Sequence, residues 1–177
     1  MVNGVTVRAS LGNGGVQADR GIWNGSPISI SSNGRFVAFA SGSTNLVAAD
    51  SDFNPDIFVR DLQRGVTLLA NVRADGSSSP NITTRSTISA DGRFVAFDTV
   101  DKMTPDDPNS NADVFVRDLQ LRTTKRVSYV NAGADVHSPV TVRSISGDGS
   151  VVSFESAGDN FVPGDTNRAQ DVFVRSP

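Results

Sequence analysis

The sequence contains no cysteine, which removes disulfides, thiolate metal centres, cysteine nucleophiles and iron–sulfur chemistry together. Histidine occurs once, at His137 in the polar stretch NAGADVHSPV, so zinc lacks a ligand set. Basic charge is not in excess: 16 Lys and Arg stand against 19 Asp and Glu, a net charge of −3. Such a chain has no field to draw nucleic acid, and none is expected as a partner. No apolar run approaches the roughly 20 residues that cross a bilayer as a helix, so no membrane partner is expected. The opening MVNGVTVRAS has no basic stretch leading into an apolar one, and therefore no signal-peptide pattern. Catalytic motifs are missing as well. There is no G-x-S-x-G elbow, and the Gly-rich LGNGGVQ is followed by neither Lys-Ser/Thr nor a helix start. The carboxylates gather in polar loops rather than in a facing pair. The expectation is a protein that is not an enzyme and has no catalytic residues.

What is present is repetition. ISSNGRFVAF from Ile30, ISADGRFVAF from Ile88 and ISGDGSVVSF from Ile145 lie 58 and 57 residues apart. DIFVRDL from Asp56, DVFVRDL from Asp113 and DVFVR from Asp171 follow in the same register, and VTVRAS (Val5), VTLLAN (Val66) and TKRVSY (Thr124) form a weaker third trio. Each unit reads as four short strands. Asn33-Gly34, Asp91-Gly92 and Asp148-Gly149 mark tight turns that need positive φ. RFVAF is β-branched and aromatic, and apolar on both faces of a strand, so it is expected to be covered on both sides. No segment carries a helical stripe, and the fold class is all-β. Blades are expected at about 26–71, 84–130 and 140–175 within one repeat domain spanning 1–177. A sandwich would not explain three copies at constant spacing; a β-propeller does.

These motifs, with NLVAAD (Asn45–Asp50) and NFVPGD (Asn160–Asp165), resemble the TolB-like and WD-repeat-like propeller blades of bacterial proteins. The resemblance spans almost the whole chain and implies the fold, with a periplasmic or extracellular parent. Blades of this kind occur in proteins of many roles, so it implies no activity.

The order of strands carries a further expectation. The chain opens on a fourth strand, residues 4–10, and closes on a third, so the last blade lacks the strand that the N-terminus has in surplus. Rings take roughly four to eight blades. Two chains, each lending residues 4–10 to the other's last blade, would make a six-bladed homodimer; three would make a nine-bladed homotrimer. A fragment cut from a longer ring, or a designed half-ring, has the same pattern.

The loops before each third strand repeat oxygens at alternate positions: Asp50, Asp52, Asn54, Asp56; then Asp107, Asn109, Asn111, Asp113; then Asp165, Asn167, Asp171 with Ala169 interposed. A hard cation such as Ca²⁺ takes oxygens in this spacing. The glycine expected at position 6 of an EF-hand loop is Pro55, Ala112 or Gln170, and Asp61 and Asp118 fall at position 12 inside or beyond a strand. Side chains that cap turns use the same residues, so calcium and turn-capping both stand. Arg60, Arg117 and Arg175 recur once per blade; the expected partners are Asp61, Asp118 or an adjoining blade, with an anionic ligand as the alternative. Trp23 reads either as a contact for a glycan or peptide or as a ring tucked over a blade edge.

Two functional classes follow. One is a non-enzymatic structural or protein-interaction module, a self-assembling half-propeller for which the residues name no external ligand. The other is a calcium-assisted hydrolase or lyase, or a glycan-binding propeller, working in the central cavity of the assembled ring.

Overall fold

The computed structural model describes residues 4–50, 52–130, 136 and 138–177. Among these, a single 3-10 turn at Asn13–Gly15 precedes eleven strands. β1 (Ser29–Ile30), β2 (Phe36–Ser41), β3 (Asp56–Asp61) and β4 (Val66–Leu69) form the first sheet, in sequence order. β5 (Arg85–Ile88), β6 (Phe94–Thr99), β7 (Asp113–Asp118) and β8 (Thr123–Arg126) form the second, and β9 (Val140–Ile145), β10 (Val152–Ser156) and β11 (Asp171–Arg175) the third. Every pairing is antiparallel. The β1–β2, β5–β6 and β9–β10 turns place Gly34, Gly92 and Gly149 at φ of +69°, +78° and +75°, as the Asn-Gly and Asp-Gly pairs require.

The third sheet has three strands, and residues 5–10 form no assigned strand. Register also shifts the weak third trio. Arg60 bonds Thr67 and Arg117 bonds Thr124 in the same way, so Val66 corresponds to Thr123 rather than Thr124.

The sheets stack face to face in the manner of propeller blades, and two apolar layers lie between them. Ala38, Ala40, Ile57 and Val59 of the first sheet meet Ile88, Val95, Phe97 and Phe115 of the second. Ala96, Val114 and Val116 of the second meet Val140, Val142, Ile145 and Phe154 of the third. RFVAF is therefore covered on both faces in the second sheet, where Val95, Ala96 and Phe97 are fully buried. A polar seam runs along the turns: Ser32 N–H and Oγ–H donate to the Ala90 carbonyl, and Ala90 N–H donates to that of Gly147. The same ring-on-turn contact recurs at each joint, Phe36 on Gly92 and Phe94 on Gly149.

Asp98 ties the second sheet to the third by accepting the Val142 N–H at 2.9 Å. Burial, opposed by that hydrogen bond and by Arg85 and Arg143, pushes its carboxyl up to about 6. The folded value lies above the unfolded one, so the unfolded chain ionises first, and folding loses stability as pH rises through that window. Asp98→Asn keeps an acceptor for Val142 and has no charge to bury. Its stability relative to the native protein should therefore grow by ~1–3 kcal/mol between about pH 4 and about pH 6, then level off. Urea unfolding at several pH values measures this; a pH-independent difference would contradict it.

Candidate functional site

The three Asp/Asn loops sit at equivalent places, between the second and third strands of each sheet, and are built by local hydrogen bonding. In the first loop Asp50 Oδ1 accepts the Asp52 N–H at 3.2 Å and Asp52 Oδ1 accepts the Asn54 N–H at 2.7 Å. Asn54 is fastened outward, its Nδ2 donating to the Pro80 carbonyl at 2.8 Å. In the second loop Asp107 Oδ1 accepts the Asn109 N–H at 3.3 Å, and Asn109 Oδ1 accepts the Asn111 N–H. In the third Asn167 Oδ1 accepts the Ala169 N–H at 2.8 Å. Alternate side chains thus close successive Asx turns.

The last aspartate of each loop begins the third strand. Asp56 Oδ1 accepts Asn71 Nδ2, whose Oδ1 in turn accepts the Ile57 N–H at 2.9 Å. Asp113 does the same through Ser128, whose Oγ also accepts the Val114 N–H at 2.8 Å. Asn71 and Ser128 stand just past the fourth strands. Their place in VTLLAN and TTKRVS, beside Ser10 of VTVRAS, is the only sequence signal of this role.

Capping uses one oxygen per carboxylate and leaves the other. In the first loop Asp50, Asp52 and Asp56 bring ligand oxygens within 4.8 Å of one another. Asp50 and Asp56 are 4% and 0% exposed, and their Oδ2 atoms have no hydrogen-bond partner. Burial, together with the neighbouring carboxylates of Asp50 and Asp52, pushes Asp56 up to about 7 against the bond from Asn71. Burial raises Asp50 as well, against the Asp52 N–H and with the charges of Asp52 and Asp19.

The second loop differs in one respect. The buried Arg126 guanidinium lies 3.8 Å from Asp107, 3.6 Å from Asp113 and 3.9 Å from Asp106. Arg126 pairs with Phe115 across β7–β8, and the residue at that register in the first sheet, opposite Phe58, is Leu69. In the third loop Asp165 and Asp171 are half-buried and Asn167 is exposed.

Asp61 and Asp118 are not the partners of the recurring arginines, whereas Arg175 does meet the adjoining unit, at Tyr129. Asp61 is bound by Arg35, at 2.9 and 2.6 Å, and Asp118 by Arg93, because the arginine that opens RFVAF immediately precedes Phe36 or Phe94, the residue paired with that aspartate across β2–β3 or β6–β7. These carboxylates serve ion pairs rather than position 12 of a metal loop. Arg60 instead donates to Leu11 and Gly12 carbonyls and to Thr67 Oγ1, Arg117 to Thr124 Oγ1, and Arg175 to the Tyr129 carbonyl while lying 3.5 Å over the Tyr129 ring. The third unit has Ser150 and Ser176 where the others carry the Arg and Asp of the pair. Trp23 is 45% exposed, and its backbone N–H donates to the Ala40 carbonyl. His137 lies outside the described residues.

No family model and no curated protein matches the chain. Among solved structures it is similar to the tricorn protease, at 18% identity and a TM-score of 0.48, over 82% of this chain and 12% of that one. It is also similar to the β-propeller domain of the Trilobed protease from Pyrococcus furiosus, which has an open velcro topology (16% identity, TM-score 0.43, 84% of this chain and 41% of that one). A third is TolB from Acinetobacter baumannii (16% identity, TM-score 0.28, 86% and 43%). The chain spans less than half the length of each.

Proposed function

We propose that the chain is a non-enzymatic interaction module, half of a β-propeller that closes with a second copy into a six-bladed ring. The observation that carries this reading is that its two outer faces expose the counterparts of residues buried at its internal joints. Ile57 and Val59, like Val114 and Val116, are 0–5% exposed against the following sheet, whereas the corresponding Val172 and Val174 are each 70% exposed. On the opposite face, Ile88 and Ile145 are 7% and 8% exposed against the preceding sheet, whereas Ile30 is 57% exposed. Ile30 and Val37 line an apolar cavity of about 750 Å³ with Gly34, Val5, Val7 and Ala9.

Continuing the internal pattern lays Val172 and Val174 over Ile30 and Val37 of the other copy. Val151 takes the place on Gly34 that Phe36 takes on Gly92. Residues 5–10 repeat the sequence of β4 and supply an outer partner for β11, with Ser10 placed at Asp171 as Asn71 is at Asp56. Apolar faces of this kind are unfavourable in water, and a bare strand edge invites pairing.

Light scattering on the purified chain should give twice the 18.6 kDa chain mass. Val172→Lys with Val174→Glu should convert it to the single-chain mass. A native protein that runs as a monomer at tens of micromolar would sink the reading, and three times the chain mass would replace it with a nine-bladed trimer.

A further inference from the structure

We infer that the first loop alone is a divalent-cation site, taking calcium through the carboxylates of Asp50, Asp52 and Asp56, and that arginine fills the cation's place in its sister loop. All three loops have related sequences, so turn-capping explains what they share; it does not explain what sets the first apart. Two carboxylates there are almost fully buried, each has an oxygen without a hydrogen-bond partner, and with Asp52 they bring ligand oxygens within 4.8 Å of one another. Asp107 and Asp113 are as deeply buried, but a guanidinium stands beside them. Carboxylates buried at this separation are neutralised either by protons or by a positive charge.

In the second loop that charge is covalent. Arg126 reaches Asp107 and Asp113 from the fourth strand, and its buried guanidinium is the counter-ion. In the first loop the same strand position is Leu69, which packs with Phe39, Leu46 and Phe58 and offers no charge. No basic side chain pairs with Asp50, Asp52 or Asp56 among the ion pairs of the described residues. The oxygen-only donor set suits a hard cation, and flexible geometry with further waters suits Ca²⁺ over the more demanding Mg²⁺.

The third loop completes the series, in a step that rests on the proposed ring. Arg8 stands three residues after Val5, as Leu69 stands three after Val66 and Arg126 three after Thr123. A residue 5–10 strand from the second copy would therefore bring Arg8 to Asp165 and Asp171. The first-loop assignment stands without this step, since every ligand belongs to one sheet of one chain.

Calorimetric titration of the intact protein with calcium chloride, after treatment with EDTA, should show one calcium per chain. Melting temperature should rise by roughly 5–10 °C at a hundredfold excess over Kd. Leu69→Arg places the guanidinium of the second loop in the first and should abolish both signals. Asp52→Asn, at a half-buried side chain, should weaken binding by roughly tenfold or more, because affinity follows the charge of the ligand set. No heat and no shift at millimolar calcium would overturn the assignment, as would unchanged binding by a folded Asp52→Asn protein. A monomeric protein that still binds one calcium would refute the ring and leave the site intact.

Discussion

Replacing Gly92 by alanine should lower the melting temperature by roughly 5–15 °C, through two costs that act together. The first is local. Gly92 sits at φ +78°, where an L side chain costs about 1–2 kcal/mol. The second is tertiary. A Cβ at Gly92 would lie 2.1 Å from Cδ2 and 2.6 Å from Cγ of Phe36, the ring by which the first sheet rests on the turn of the second. The Arg35 guanidinium lies over that ring, 4.7 Å from its centroid, and the turn itself is tied by Ser32 to Ala90. Moving the ring therefore opens the joint, at about 1–3 kcal/mol for overpacking of this kind. Gly76→Ala is the matched control, because Gly76 has φ +91° and a Cβ there would meet nothing within 4 Å. Thermal unfolding of both variants separates the two costs. If Gly92→Ala loses no more than Gly76→Ala, the ring-on-turn contact is not what holds the sheets together.

Asp61→Ala should destabilise the protein by roughly 2–4 kcal/mol, and Asp61→Asn by less. Besides Arg35, the carboxylate accepts the backbone N–H groups of Gln63 and Arg64, each at 3.0 Å, and so caps the β3–β4 turn. Alanine leaves those two donors without their acceptor, whereas asparagine retains an oxygen for them and loses the bidentate pair. The Arg35 hydrogen bond holds the Asp61 carboxyl below the usual carboxylate range, against burial and with help from the two N–H groups. With the folded value depressed, the stabilisation is present above the ordinary carboxylate pKa and is lost as pH falls through the folded one. Acid titration of stability should therefore be shallower in Asp61→Asn than in the native protein. Equal slopes would remove Asp61 from the acid response.

The parts legible in the sequence are those that depend on short-range chemistry repeated at a fixed interval. Ile30, Ile88 and Ile145, with the Asn-Gly or Asp-Gly turn that follows each, locate a hairpin whose positive φ only a few residues tolerate. The aspartates of the loops are legible for the same reason, since an Asx turn needs its oxygen two residues before the N–H it caps. Arg35 and Arg93 give no such sign, because their carboxylates lie 26 and 25 residues along the chain, across a strand pair whose register no local pattern encodes. The arginines beside those carboxylates in the chain, Arg60 and Arg117, point to the opposite face of the same strand.

Sequence by itself determined the all-β class, the three units, their turns and the alternation of oxygens in the loops, because each follows from neighbours close along the chain. Only the tertiary structure decided which oxygens are buried without a hydrogen-bond partner, and that Leu69 stands in the first sheet at the register where the second has Arg126. It also left Val172, Val174 and Ile30 exposed on the end sheets, where their counterparts between the sheets are buried. Burial and counter-charge are set by what packs across the sheets, and residues far apart in the chain become neighbours only once the sheets have stacked.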